Sequence, residues 1–140
     1  MLVKLTAKQV AENWKYIKKS FSKFPELLES GTEELFFSGM LQDRIQVWFS
    51  VGSKDEPKGF LTTYVIKNDF GIRNVLMVAT AIAFDMGEQD WKDVYIGLAE
   101  FAKKNNCSKV LAFTTNETLL VRINSLEKKP NVQLALTWEV

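Results

Sequence analysis

The sequence predicts a mixed α/β (α+β) domain. A central mixed sheet carries helices on its faces, in the order β-α-α-β-β-β-α-β-α-β. Three observations predict it. Residues 44–84 hold three strand-like segments joined by short polar turns, the pattern of an antiparallel meander. The third segment, Val75 to Phe84, is apolar on both faces and so belongs inside a sheet. From Asp90 onward the pattern changes to helix, strand, helix and strand, which adds a crossover connection.

Leu2 to Leu5 is a short opening strand. Thr6-Ala7-Lys8-Gln9 fits a capping box, in which the hydroxyl and the Gln side chain satisfy backbone N–H groups left free at a helix start. Val10, Trp14, Ile17, Phe21 and Phe24 follow on one helical face, with Lys8, Lys15, Lys18, Lys19 and Lys23 mostly off it. Pro25 opens a second helix in the region 25–42, with Leu27, Leu28, Leu35 and Phe36 inward and Gly31 a break. Arg44 to Gly52 alternates, placing Ile45, Val47, Phe49 and Val51 on one face and Gln46, Trp48 and Ser50 on the other.

A polar turn over 53–58 leads to a second strand, Gly59 to Lys67, and a turn over 68–71 leads to the third. The helix from Asp90 to Asn105 puts Trp91, Val94, Tyr95, Leu98, Ala99, Phe101 and Ala102 on a broad apolar face, and Asn105-Asn106 ends it. Lys109 to Thr114 is a short buried strand. Asn116 to Leu126 is a helix with Leu119, Leu120 and Ile123 inward, and Val132 to Val140 is the last strand.

With 140 residues, 46% of them apolar and 25% charged, the composition is that of one domain spanning 1–140. Eighteen basic and seventeen acidic residues give a net charge of +1, so no broad field draws the chain to nucleic acid or to anionic membrane. No histidine is present, which removes Ser-His and Cys-His nucleophile pairs and any His-ligated metal. The single cysteine, Cys107, excludes an internal disulfide and a thiolate metal cluster; it is expected as a small buried hydrophobe between helix and strand. The opening segment is too short in apolar run for a signal peptide, and the longest apolar stretch, Val75 to Phe84, is about half a membrane span. The expected location is cytoplasmic.

This order of elements resembles the GNAT (Gcn5-related N-acetyltransferase) fold. Ala102 near the helix end, the strand Val110-Leu111-Ala112-Phe113 and then Asn116 fall as they do in that family. The resemblance implies acetyl-CoA as cofactor, with its pyrophosphate held at the start of the helix that follows the meander. The family carries an Arg/Gln-x-x-Gly-x-Gly/Ala motif there, because phosphates must approach backbone N–H groups that any side chain would block. Counting back from Ala102 places the motif on Met86, Gly87, Glu88, Gln89, Asp90 and Trp91. Gln89 and Trp91 stand at the two small-residue positions, and Gly87 falls at a variable one. Glu88 and Asp90 add two negative charges where phosphates would sit. At roughly 5 Å each repulsion costs about 3 kcal/mol before screening, against about 8 kcal/mol for micromolar binding.

The chemistry is sparse as well. The third strand has no carboxylate to serve as the family's base, and the position of the family's tyrosine acid is Ile123. Tyr64 and Tyr95 are expected to pack, and Arg122 to be a solvated helix residue. No catalytic residue, metal or cofactor is therefore assigned.

Three functions stay open: a GNAT-like binding or structural module without acetyl-CoA, an N-acetyltransferase with an atypical loop that works by positioning its amine, and an unrelated α/β domain. Size and the missing catalytic set also resemble small GNAT-like phage proteins, some virion-associated. The expected partner is a protein or a second copy of this chain, met through Trp48 and Phe70. Against that stands the alternative that a helix covers Trp48.

Overall fold

The computed structural model describes residues 1–22, 32–67 and 73–112. In chain order the elements are β1 (Leu2–Lys4), α1 (Ala7–Glu12), α2 (Trp14–Ser22), α3 (Thr32–Leu41), β2 (Gln46–Val51), β3 (Pro57–Ile66), β4 (Asn74–Ala83), α4 (Glu88–Lys104) and β5 (Cys107–Ala112). The strands form one sheet in sequence order. All neighbouring pairs are antiparallel except β4 and β5, which run parallel across the α4 crossover. The expected helix at Pro25, the turn at Phe70 and everything from Phe113 on, including Asn116, Arg122, Ile123 and the last strand, lie outside the described residues.

The capping box at Thr6 forms: Gln9 N donates to Thr6 Oγ1 at 3.2 Å, and Thr6 N to Gln9 Oε1 at 2.9 Å. The single helix expected from Thr6 is instead two. At Asn13 the side chain donates to the Gln9 carbonyl at 2.8 Å, offering the backbone a local alternative that interrupts the helix. The apolar stripe survives the break, since Val10 and Ile17 are both buried. Leu35, expected inward, is 70% exposed; Met40 is buried and Phe36 and Phe37 pack beside it, so α3 turns a different stripe to the sheet.

Two cores flank the sheet. On one face α4 contributes Trp91, Val94, Leu98 and Ala102 against Trp48, Leu61 and Leu76. On the other, Val10, Ile17 and Met40 from the three N-terminal helices meet Val47, Phe49, Phe60 and Ile82. β2 is therefore buried on both faces. β4 lies between β3 and β5, as expected, and its two-faced apolar pattern has a specific cause. Thr62 pairs with Thr80 but Thr63 pairs with Val78, so Ala79 is an extra residue in β4. This bulge flips the alternation: Leu76 faces α4, whereas Ile82 faces the N-terminal helices. Past the bulge the side chains of Ala81 and Ala83 are exposed.

β5 departs from expectation. It starts earlier, at Cys107, and most of it is exposed, because it is the outermost described strand and only its first residue reaches the core. Cys107 itself is buried, and burial raises its thiol pKa.

Candidate functional site

The turn between β4 and α4 carries the residues that the sequence singles out. Phe84 N and Asp85 N both donate to the carbonyl of Lys58 on β3, at 2.9 and 3.0 Å, which swings the chain out of β4. Met86 then turns inward and is buried over Gly59, where any Cβ would run into the Met86 sulfur. Gly87 is the N-cap of α4 in an extended conformation.

Asp90, the third residue of α4, reaches back. Its Oδ2 accepts the Gly87 N–H at 2.8 Å and also the Lys58 ammonium at 3.0 Å. A capping carboxylate of this kind satisfies a donor that a helix start otherwise leaves free, and it complements the helix dipole. Burial of Asp90 works against its charge. The Gly87 N–H and Lys58 outweigh that and hold the carboxyl below its usual range. The hydrogen bond to Asp90 in turn raises the Lys58 pKa. Both partners are thus favoured in their charged forms.

The other residues of the motif disperse. Glu88 is exposed and lies 3.4 Å from Lys92 one turn on. Gln89 is exposed, and its amide donates to Asp93 at 3.0 Å. Trp91 points the other way and is buried in the α4 core. Its indole N–H finds no partner among the described residues. The two negative charges expected at the motif each have a cation beside them: Asp90 pairs with Lys58, and Glu88 lies beside Lys92. Lys58 is the residue that sequence reasoning missed. It sits in what looks like a solvated polar turn, and no local pattern links it to a carboxylate 32 residues away.

Three aromatic expectations also resolve. Trp48 is covered by α4, which removes it as a docking residue. Its ring meets Phe101 edge-on at 5.1 Å, and its Nε1 donates to Thr63 Oγ1 at 2.9 Å. Tyr64 and Tyr95, expected to pack, are each more than a third exposed. Tyr95 lies off the buried stripe of α4, and Tyr64 lines a surface cleft on β3. Among the described residues, no group of His, Cys, Asp and Glu side chains could hold a metal ion, and no helix is long and apolar enough to cross a membrane.

A meander, the α4 crossover onto a parallel β5, and helices on both sheet faces make a GNAT-like fold, and similarity to solved acetyltransferases supports it. An aminoglycoside acetyltransferase from an uncultured soil metagenomic sample, solved with sisomicin, is similar with a TM-score of 0.74 and 13% identity, covering 100% of this chain and 95% of that one. The aminoglycoside acetyltransferase AAC(6')-Iy, solved with the bisubstrate analog CoA-S-monomethyl-acetylneamine, is similar with a TM-score of 0.65 and 12% identity over 99% and 97% of the two chains. The ribosomal-protein-alanine N-acetyltransferase of Brucella melitensis biovar Abortus 2308 is similar with a TM-score of 0.61 and 12% identity over 97% and 99%. At these identities the likeness speaks for the fold alone. No family model matches the sequence, and no curated protein matches it.

Proposed function

We propose that this chain is a GNAT-like domain that does not bind acetyl-CoA and serves as a binding or structural module. One observation carries the reading: the Asp90 carboxylate accepts the Gly87 N–H and the Lys58 ammonium. A helix N-terminus attracts a phosphate through free backbone donors and positive charge. Here the chain's own carboxylate has taken one donor and the nearest cation. Trp91 is buried in the α4 core, which ties the turn into that core. This turn does not suit a pyrophosphate, and no reaction step is assigned to the cofactor. Calorimetry with acetyl-CoA tests the reading. No heat of binding is expected, and a dissociation constant below about 100 μM, near −5.5 kcal/mol, overturns it.

A second reading, an acetyl-CoA-dependent N-acetyltransferase, is favoured by the solved neighbours, which are acetyltransferases. It requires the Asp90–Lys58 pair to open so that Lys58 and the Gly87 N–H can meet a phosphate. Binding in the same calorimetry, abolished by Lys58→Gln, together with acetyl transfer to an amine, would favour it over the first.

A further inference from the structure

On the sheet face opposite α4, α3 runs into β2 through a tight corner. Gly39 lets α3 approach: a Cβ there would sit 2.8 Å from Ile45 Cδ1. The Gly39 carbonyl accepts both Arg44 N and Ile45 N, at 2.9 and 3.0 Å. Asp43 takes a left-handed conformation (φ 55°). Lys4 holds its carboxylate at 2.9 Å, and the Gln46 amide donates to its carbonyl at 3.0 Å. The corner is therefore fixed on both sides of Arg44. The Arg44 side chain is exposed, and its Nε donates to Gln42 Oε1 at 2.9 Å. No carboxylate among the described residues pairs with its guanidinium.

Arg44 lines a cleft of about 340 Å³ together with Phe36, Ile45, Tyr64, Val65 and Ala79. The walls are mainly apolar and aromatic, and Ala79 is the bulge residue of β4. Concave, mostly apolar sites with one placed charge are how proteins bind small molecules, and this volume lies at the low end of that range. A guanidinium whose Nε is already engaged keeps its terminal N–H donors for a planar oxyanion. One cation among apolar walls suits a monoanion and not a polyphosphate.

We propose that this cleft binds a small monocarboxylate with a compact apolar or aromatic body, the carboxylate on Arg44 and the body between Phe36, Ile45 and Tyr64. This does not rest on the reading of the α4 turn, which lies at the other face of the sheet. The test is an amide NMR titration of the isotope-labelled full chain with phenylacetate, and with phenylacetamide as its uncharged twin. Saturable shifts at Phe36, Ile45, Tyr64 and Ala79 are expected, weakened roughly tenfold or more for phenylacetamide and for phenylacetate on Arg44→Gln. The absence of saturable shifts there, equal binding of the acid and the amide, or indifference to Arg44→Gln each overturns the proposal. Displacement of phenylacetate by acetyl-CoA also overturns it, since the cleft would then belong to a cofactor path. The phenylacetamide arm uses the wild-type chain, so the answer does not depend on the variant folding.

Discussion

At the β4–α4 turn, Lys58 and Asp90 meet over a helix N-terminus and satisfy each other. At the α3–β2 corner, Lys4 and Asp43 likewise pair, but Arg44 beside them is left without a carboxylate among the described residues and faces a cleft. Both places join a helix to a strand by a short connection, and both are built around charge. The first uses its charges to close itself. The second uses one pair to hold the backbone and leaves a third charge available. In a protein without histidine, and with no side-chain cluster among its described residues that could hold a metal ion, that contrast separates charge that maintains the fold from charge that can meet a ligand.

The contrast breaks first at Trp91. If the α4 turn is closed by packing, replacing Trp91 with a small residue must damage the core. Trp91→Gly removes a buried indole that packs with Trp48, Leu61 and Leu76. A loss of about 3–5 kcal/mol is expected from the cavity alone, with about 1 kcal/mol more from glycine in a helix. Urea denaturation measures it. A loss under about 1 kcal/mol would mean that the turn is loosely packed and its closure superficial.

Asp90 sharpens the contrast through pH. Its folded pKa lies below the ordinary value of 3.8. The stability it contributes is thus fully present above that value and is lost as pH falls through the lower folded value. Asp90→Asn keeps an oxygen for the Gly87 N–H but gives up the ion pair. The variant should be less stable at neutral pH by about 1 kcal/mol, the scale of a weakened cap. The gap to wild type should close only below about pH 4. Lys58 acts at the other end: its raised pKa gives stability that is present below 10.5 and lost above it. Denaturation curves across pH for wild type, Asp90→Asn and Lys58→Gln decide this. A gap that stays flat into acid would show that the pair does not form in solution.

How much of this was legible in the sequence follows from the range of each interaction. The capping box at Thr6, the stop at Asn105 and the apolar stripe of α4 are local, and periodicity finds them. The apolar double face of β4 was visible too, but its cause was not. A bulge is set by pairing with β3, and nothing within β4 itself marks Ala79 as the extra residue. The motif segment lies at the start of α4, as expected, but the cation beside Asp90 does not follow from it. Counting charges along the chain cannot place Lys58 beside Asp90. The break at Asn13 was in principle readable, since Asn competes with a helix through its own side chain. The Arg44 cleft had no sequence signal, because its walls come from α3, the α3–β2 corner, β3 and β4 at once.

The smallest expected effect is the most discriminating. Arg44→Gln should change stability by less than about 0.5 kcal/mol, the usual range for a surface substitution away from structural features. The corner does not need this side chain. Gly39, the Lys4–Asp43 pair and the Gln46 amide already fix it, and the Arg44 backbone N–H, which the variant keeps, supplies its own bond to Gly39. The side chain's one described hydrogen bond, to Gln42, is exposed. A measured loss of 2 kcal/mol or more, well beyond that surface range, would make Arg44 a structural residue like Lys58, and the difference between the two corners would vanish. An unchanged denaturation midpoint, together with weakened phenylacetate binding, is the outcome expected of a charge the fold leaves free for a ligand.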